Sequence, residues 1–232
     1  MIESERTGAF GPAPLSLVTV RIKVRIKAQL SLSSHVSGLI LAGGLGRRMG
    51  RVEKGLQLLR GRALIEWVVA GFRPQVDELL ISANQQLDAY ARYGLAVLPD
   101  VHRESGGEVA GPLAGLHAGM MACRHDLIAT VPCDVPFPPA DLVGRLRAAL
   151  LERSAQVAVA TIGGRVQPVF VLARKDCLPA LDAYITSGQR RADGWYAGLS
   201  SVEVSFDDEA AAFANINTLT DLKRMEGRNE AT

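Results

Sequence analysis

The segment Gly38–Lys54, GLILAGGLGRRMGRVEK, constrains this chain more than any other stretch. Leu39–Ala42 is an apolar run of strand length, too short for a helix. It passes directly into Gly43, Gly44, Gly46 and Gly50, with Arg47, Arg48 and Lys54 set among them. Glycines let backbone N–H groups turn onto an anion. Arginines add forked donors for phosphate oxygens, and a lysine adds a point charge. A buried strand feeding such a loop is expected to seat a triphosphate. The two commonest phosphate loops do not fit. In GxGxxG counted from Gly44 the third glycine is replaced by Met49, and in GxxxxGK[ST] Glu53 precedes Lys54 while Gly55 follows it.

Beyond this loop, apolar runs alternate with amphipathic stretches, the pattern of a mostly parallel sheet crossed by helices. Strands are expected at Leu39–Ala42, Glu78–Ala83, Leu95–Leu98, Leu127–Val131, Val157–Ile162, Val166–Leu172 and Val202–Phe206. Helices are expected at Ala63–Phe72, Leu87–Tyr93, Leu113–Cys123 with Pro112 at its first turn, Pro139–Arg153, Lys175–Thr186, Ala192–Leu199 and from Leu219 onward. Gly163-Gly164 reads as a tight hairpin, so one local antiparallel pair interrupts the parallel order. Thr218 with Asp221 makes a capping pair for the last helix.

Residues 1–36 read differently. Val18, Val20, Ile22, Val24 and Ile26 alternate with Thr19, Arg21, Lys23 and Arg25, a strand period with one basic face. The segment lacks the apolar core of a secretory signal. It admits three readings: an added edge strand, a poorly ordered tail, or translation from a start placed too far upstream. We expect one of the last two, with a single domain over 37–229.

The extension has five basic and two acidic residues, and the whole chain carries a formal charge of only +2, so the body is close to neutral. A nucleic-acid partner normally needs a larger basic excess on the domain itself. No run of eighteen apolar residues is present, so no membrane span is expected. Apolar residues make up 48% of the chain, enough for a sizeable core. Cys123, Cys133 and Cys177 are widely spaced and lack zinc spacing, which suits a reducing, cytoplasmic setting.

Further candidate residues cluster where strands end. Asp134 follows an apolar strand, where open α/β sheets bind ligands. A carboxylate there suits Mg²⁺ against a triphosphate, although a turn or cap aspartate beside Pro132 and Pro136 would look the same. Ser82-Ala83-Asn84 and Pro99-Asp100 end two more strands. Guanine presents N1–H and N2 donors, which a carboxylate or amide oxygen can accept. Arg190 and Arg191 could be solvated helix charges, and Asn215 and Asn217 turn formers or caps. His35, His102, His117 and His125 show no ligand or triad spacing.

Taken together, LAGGLGRRMGRVEKG (41–55), GPLAGLHAGM (Gly111–Met120), PCDVPF (Pro132–Phe137), SGQRR (Ser187–Arg191) and FANINT (Phe213–Thr218) resemble, in order, the motifs of the molybdenum cofactor guanylyltransferases. The resemblance spans about residues 37–227. It implies a three-layer α/β/α, Rossmann-like domain of the nucleotide-diphospho-sugar transferase type, and transfer of GMP from GTP to molybdopterin with release of pyrophosphate. It implies catalytic roles for Arg48, Lys54 and Asp134, with Mg²⁺ as cofactor on Asp134. GTP contacts are implied at Leu41, Ala42, Gly43, Gly44, Lys54, Ser82, Asn84, Asp100 and Asp134, and molybdopterin contacts at Arg191, Asn215 and Asn217. Other cofactor-biosynthesis proteins or apo-molybdoenzymes are the implied protein partners. Ser82 stands where the family often has asparagine; Arg51 and Glu53 stand where it has glycine and aspartate.

Two alternatives stay open at this point. A molybdopterin cytidylyltransferase or related nucleotidyltransferase would run the same chemistry with another base or acceptor, although cytidylyltransferases carry LAAG where this chain has LAGG. A non-catalytic GTP- or cofactor-binding delivery module would need the same ligands without turnover.

Overall fold

The structure is a computed structural model and describes residues 35–43, 53–100 and 111–227. The expectations for residues 1–34 lie outside the described residues, as do those for Gly44, Arg47, Arg48 and Arg51. Seven strands form the main sheet: β1 (Val36–Leu41), β4 (Glu78–Ser82), β5 (Ala96–Leu98), β6 (Leu127–Pro132), β7 (Val157–Ile162), β8 (Arg165–Arg174) and β9 (Ser201–Ser205). Their order is β5-β4-β1-β6-β8-β7-β9. Every neighbouring pair is parallel except the two made by β8, which runs antiparallel to both β6 and β7. β8 enters by the hairpin at Gly163-Gly164, whose φ angles of +55° and +70° are the left-handed pair that a type I′ turn requires.

The helices are α1 (Leu64–Phe72), α2 (Leu87–Ala91), α3 (Pro112–Ala122), α4 (Leu142–Glu152), α5 (Leu178–Thr186), α6 (Ala192–Ala197) and α7 (Leu219–Gly227). Strand alternation sorts the core into two layers. Ile40, Val131, Ala158 and Phe170 face one side, where Ile65, Val68 and Phe72 of α1 and Leu142, Leu146 and Leu150 of α4 cover them. Leu39, Ile128, Val157 and Val171 face the other, under Leu113, Leu116 and Met120 of α3, Leu181 and Ile185 of α5, and Trp195 and Tyr196 of α6. Burial of such a side chain contributes about 1.5–3 kcal/mol each, and both faces are apolar because both are covered.

From β1 the chain winds outward through β4 to β5, then returns over α3 to place β6 on the other flank of β1. The winding reverses between β1 and β6. In open α/β sheets the crevice beyond the strand ends at such a reversal is where ligands bind.

Several boundaries differ from expectation. β1 begins at Val36, whose N–H donates to Asp77 Oδ2 at 2.8 Å, so the strand starts one residue before the expected domain start. The helix expected from Pro139 starts at Leu142, because Pro139 heads a turn whose carbonyl accepts the Leu142 N–H. A small antiparallel pair, β2 (Leu58–Leu59) with β3 (Arg62–Ala63), was not anticipated; two-residue strands carry no readable period.

Candidate active site

Main-chain bonds align the ends of the central strands. The Ala42 N–H donates to the Ser82 carbonyl at 2.7 Å, the Cys133 N–H to that of Leu41 at 3.0 Å, and the Ala83 N–H to that of Leu98 at 3.0 Å. Leu41–Gly43, Ser82–Asn84, Pro99-Asp100 and Cys133-Asp134 therefore share one rim. Of the expected GTP contacts, those within the described residues all lie on this rim or, like Lys54, reach to it.

Lys54 opens a short 3₁₀ turn, Lys54–Leu56, just after the glycine-rich loop. Its ammonium lies 3.1 Å from Asp134 Oδ2, with both side chains largely buried. The same ammonium donates to the side-chain oxygen of Asn217. An ammonium held by two oxygens is a charged donor that phosphate oxygens can also accept from.

A second cluster forms at the ends of β4 and β5. Asp100 is buried at 6% exposure. Its Oδ2 accepts from Asn84 Nδ2 at 2.7 Å and its Oδ1 from the Ser82 hydroxyl at 3.3 Å, while the Asp100 N–H donates to Asn84 Oδ1 at 2.9 Å. Ser82 is only 1% exposed. Its hydroxyl steadies Asp100 beneath α3.

Tyr90 was not singled out from the sequence, and Gly55 and Cys133 were not named there as site residues. Tyr90 is fully buried, and its hydroxyl donates to Glu53 Oε2 at 3.3 Å. Burial pushes the Glu53 carboxyl above its ordinary value, partly offset by that bond. Burial also raises the Cys133 thiol far above its usual range, which leaves it inert as a nucleophile. No local pattern marks these residues, because they meet only once α2 packs on the lysine turn.

The expected molybdopterin contacts separate. Asn215 is exposed and Asn217 half-buried on either side of Ile216, whose N–H donates to the Asp134 carbonyl at 2.8 Å. Arg191 is exposed at the head of α6 with its guanidinium forked on Asp193, at 3.1 and 2.6 Å. No described contact joins it to the Lys54–Asp134 pair. His35 and His117 pair with Asp77 and Asp182, away from the rim.

Mg²⁺ takes one or two carboxylates together with substrate phosphates and water, seldom an all-protein cage. The single, largely buried carboxylate of Asp134 fits that donor set. Among the described residues no group of three or more His, Cys, Asp or Glu could hold a metal unaided. Nor is any helix among them long and apolar enough to cross a membrane.

The model of the MobA-like NTP transferase domain matches residues 38–203. The molybdenum cofactor guanylyltransferase of Ralstonia nicotianae is 44% identical over 205 residues, covering 84% of this chain and 98% of that protein. Its counterpart in Bordetella petrii is 45% identical over 196 residues, covering 83% and 97%. Among solved structures, molybdopterin-guanine dinucleotide biosynthesis protein A from Archaeoglobus fulgidus superposes with a TM-score of 0.68 at 26% identity, over 82% of this chain and 96% of that one. These matches run through the same strand ends that carry the rim, and they place the chain in the family of the molybdenum cofactor guanylyltransferases, with their MobA-like NTP transferase domain.

Proposed function

We propose that this protein transfers GMP from GTP to molybdopterin, giving the guanine dinucleotide cofactor and pyrophosphate, within one domain over residues 37–229. The observation that carries the reading is the meeting of two clusters on one rim: Lys54 with Asp134, and Asp100 with Asn84 and Ser82.

The terminal phosphate of molybdopterin attacks the α-phosphorus of GTP in line, and pyrophosphate leaves. That nucleophile is already ionised near neutral pH, so the reaction needs no general base. The protein's work is positioning and charge neutralisation. Lys54 and Arg48, with the N–H groups of Gly43 and Gly44, steady the triphosphate and the departing pyrophosphate. Asp134 would hold Mg²⁺, which supplies Lewis-acid stabilisation of phosphate charge when bound. Asp100 reads guanine: each of its oxygens accepts one internal bond and keeps a second lone pair for the base's N1–H and N2 donors. Arg191 and Asn215 face the pterin substrate, and Asn217 stands between the two substrates.

The three cysteines are free and buried, which suits a reducing cytoplasm, where the product would pass to later cofactor proteins or apo-molybdoenzymes. Competition binding of GTP, CTP and ATP tests the base assignment. GTP is expected to bind tightest, and Asp100→Asn to erase most of its advantage. Tighter binding of CTP would overturn the guanine reading.

A further inference from the structure

One ammonium, that of Lys54, is asked to meet the triphosphate, and Asn217 reaches it across 163 positions of sequence. Local and long-range interactions together keep Asn217 there. Ile216 is fully buried in a small cluster with Leu59 and Leu64, joined by Leu222 and Met225 of α7. Its N–H is tied to the Asp134 carbonyl. Asp221 Oδ2 accepts from the N–H groups of Asn217 and Thr218, at 3.2 and 3.0 Å, and from the Thr218 hydroxyl at 2.8 Å, while the Asp221 N–H returns to Thr218 Oγ1 at 3.1 Å. At the far end of α7 the Arg60 guanidinium donates to the Met225 carbonyl at 2.9 Å. Both ends of α7 are thus fastened to the segment that follows Lys54.

Only the oxygen of an asparagine side chain can face an ammonium, so the orientation of the Asn217 amide is set. A lysine stem has large rotamer freedom, and one carboxylate at its tip leaves it free to swing about that contact. A second acceptor on the opposite flank removes that freedom. The Asn217 oxygen bonds the enzyme's own lysine, a role distinct from the substrate contact that the family resemblance implies.

We propose that Asn217 is a positioning residue that sets the Lys54 ammonium for the triphosphate, and that the cap of α7 holds Asn217 to this task. The proposal deepens the guanylyl-transfer reading and rests on it for its kinetic consequences. A positioning role and a pterin-contact role differ sharply in what an aspartate would do. Asn217→Asp keeps an oxygen toward Lys54 but sets a negative charge against a substrate phosphate.

The test compares Asn217→Ala, Asn217→Asp and Asp221→Ala with the unaltered protein, below their unfolding temperatures. In Asn217→Ala kcat is expected to fall about ten- to a hundredfold, the loss of one charge-assisted hydrogen bond. The KM for molybdopterin should stay within about twofold, since the interaction acts on transfer and not on uniform binding. Asn217→Asp should recover much of the loss, and Asp221→Ala should lose rate severalfold although Asp221 touches neither Lys54 nor Asp134 among the described contacts. A raised molybdopterin KM with kcat preserved, or an aspartate variant worse than the alanine one, would overturn the proposal.

A second readout needs no turnover. Acetylation of Lys54 by acetic anhydride in the ligand-free protein, followed by mass spectrometry, should be severalfold faster in Asn217→Ala and Asp221→Ala. Equal rates would overturn the proposal whatever the reaction. Faster labelling in a protein that transfers no GMP would support the latch and remove the enzymatic reading alone.

Discussion

Gly55 occupies the tightest position in the lysine turn. A Cβ there would lie 2.6 Å from the Tyr90 hydroxyl oxygen and 3.3 Å from Cys133 Cβ. Gly55→Ala is therefore expected to cost about 1–3 kcal/mol, the usual range for overpacking, and to slow transfer by displacing the adjacent Lys54. Urea unfolding measures the first effect. Because the closer clash is with a hydroxyl, Tyr90→Phe in the same chain should restore part of the loss; no loss in Gly55→Ala would refute this packing. Legibility at this scale follows the same line. Lys54, Asp134, Asp100 and Asn84 could be marked from residue type and place after a strand. Ser82 and Asn217 were expected to contact substrates, and their bonds to Asp100 and Lys54 carry no signal in the sequence. Tyr90 went unmarked, since its role depends on a partner distant in sequence.

At the scale of elements, α3 rests on the sheet through its glycines. A Cβ on Gly115 would lie 2.6 Å from Ser82 Oγ and 2.8 Å from Leu41 Cδ2. Gly115→Ala should push α3 outward, disturb the Ser82–Asp100 bond and weaken GTP binding by about tenfold, if one buried hydrogen bond is lost; calorimetric titration with GTP checks this. At the opposite end of the sheet, Glu78 of β4 fastens the turn after α3 to β1. Burial alone would raise its carboxyl, but bonds from the Arg124 N–H, the Ser37 hydroxyl and the Arg124 guanidinium hold it below the ordinary value. A depressed carboxyl contributes stability that is complete above its unfolded pKa, about 4.3, and is lost as pH falls through the lower folded value. The stability gap between the natural protein and Glu78→Gln should be full at pH 6 and shrink toward pH 3 in denaturant titrations. A gap that stays constant would contradict the assignment. Strong periods made most helices and strands readable. β2 and β3 were too short for one, and β8 is longer than expected because it is paired along both flanks.

For the whole molecule, alternation of strands and helices predicted a mostly parallel sheet, and the Gly163-Gly164 turn predicted its one antiparallel intruder. The place where winding reverses, between β1 and β6, could not be read from periodicity, because strand order depends on which crossovers pack. That reversal brings loops far apart in sequence to one rim and gives Lys54 its aspartate and its asparagine. Central to the account is that this rim joins GTP to molybdopterin. The most direct measurement is pyrophosphate release from the protein mixed with GTP, Mg²⁺ and molybdopterin, with the guanine dinucleotide identified by mass spectrometry. Release should require all three and should nearly vanish in Lys54→Ala. GTP binding without pyrophosphate release, or faster release from CTP, would contradict the account.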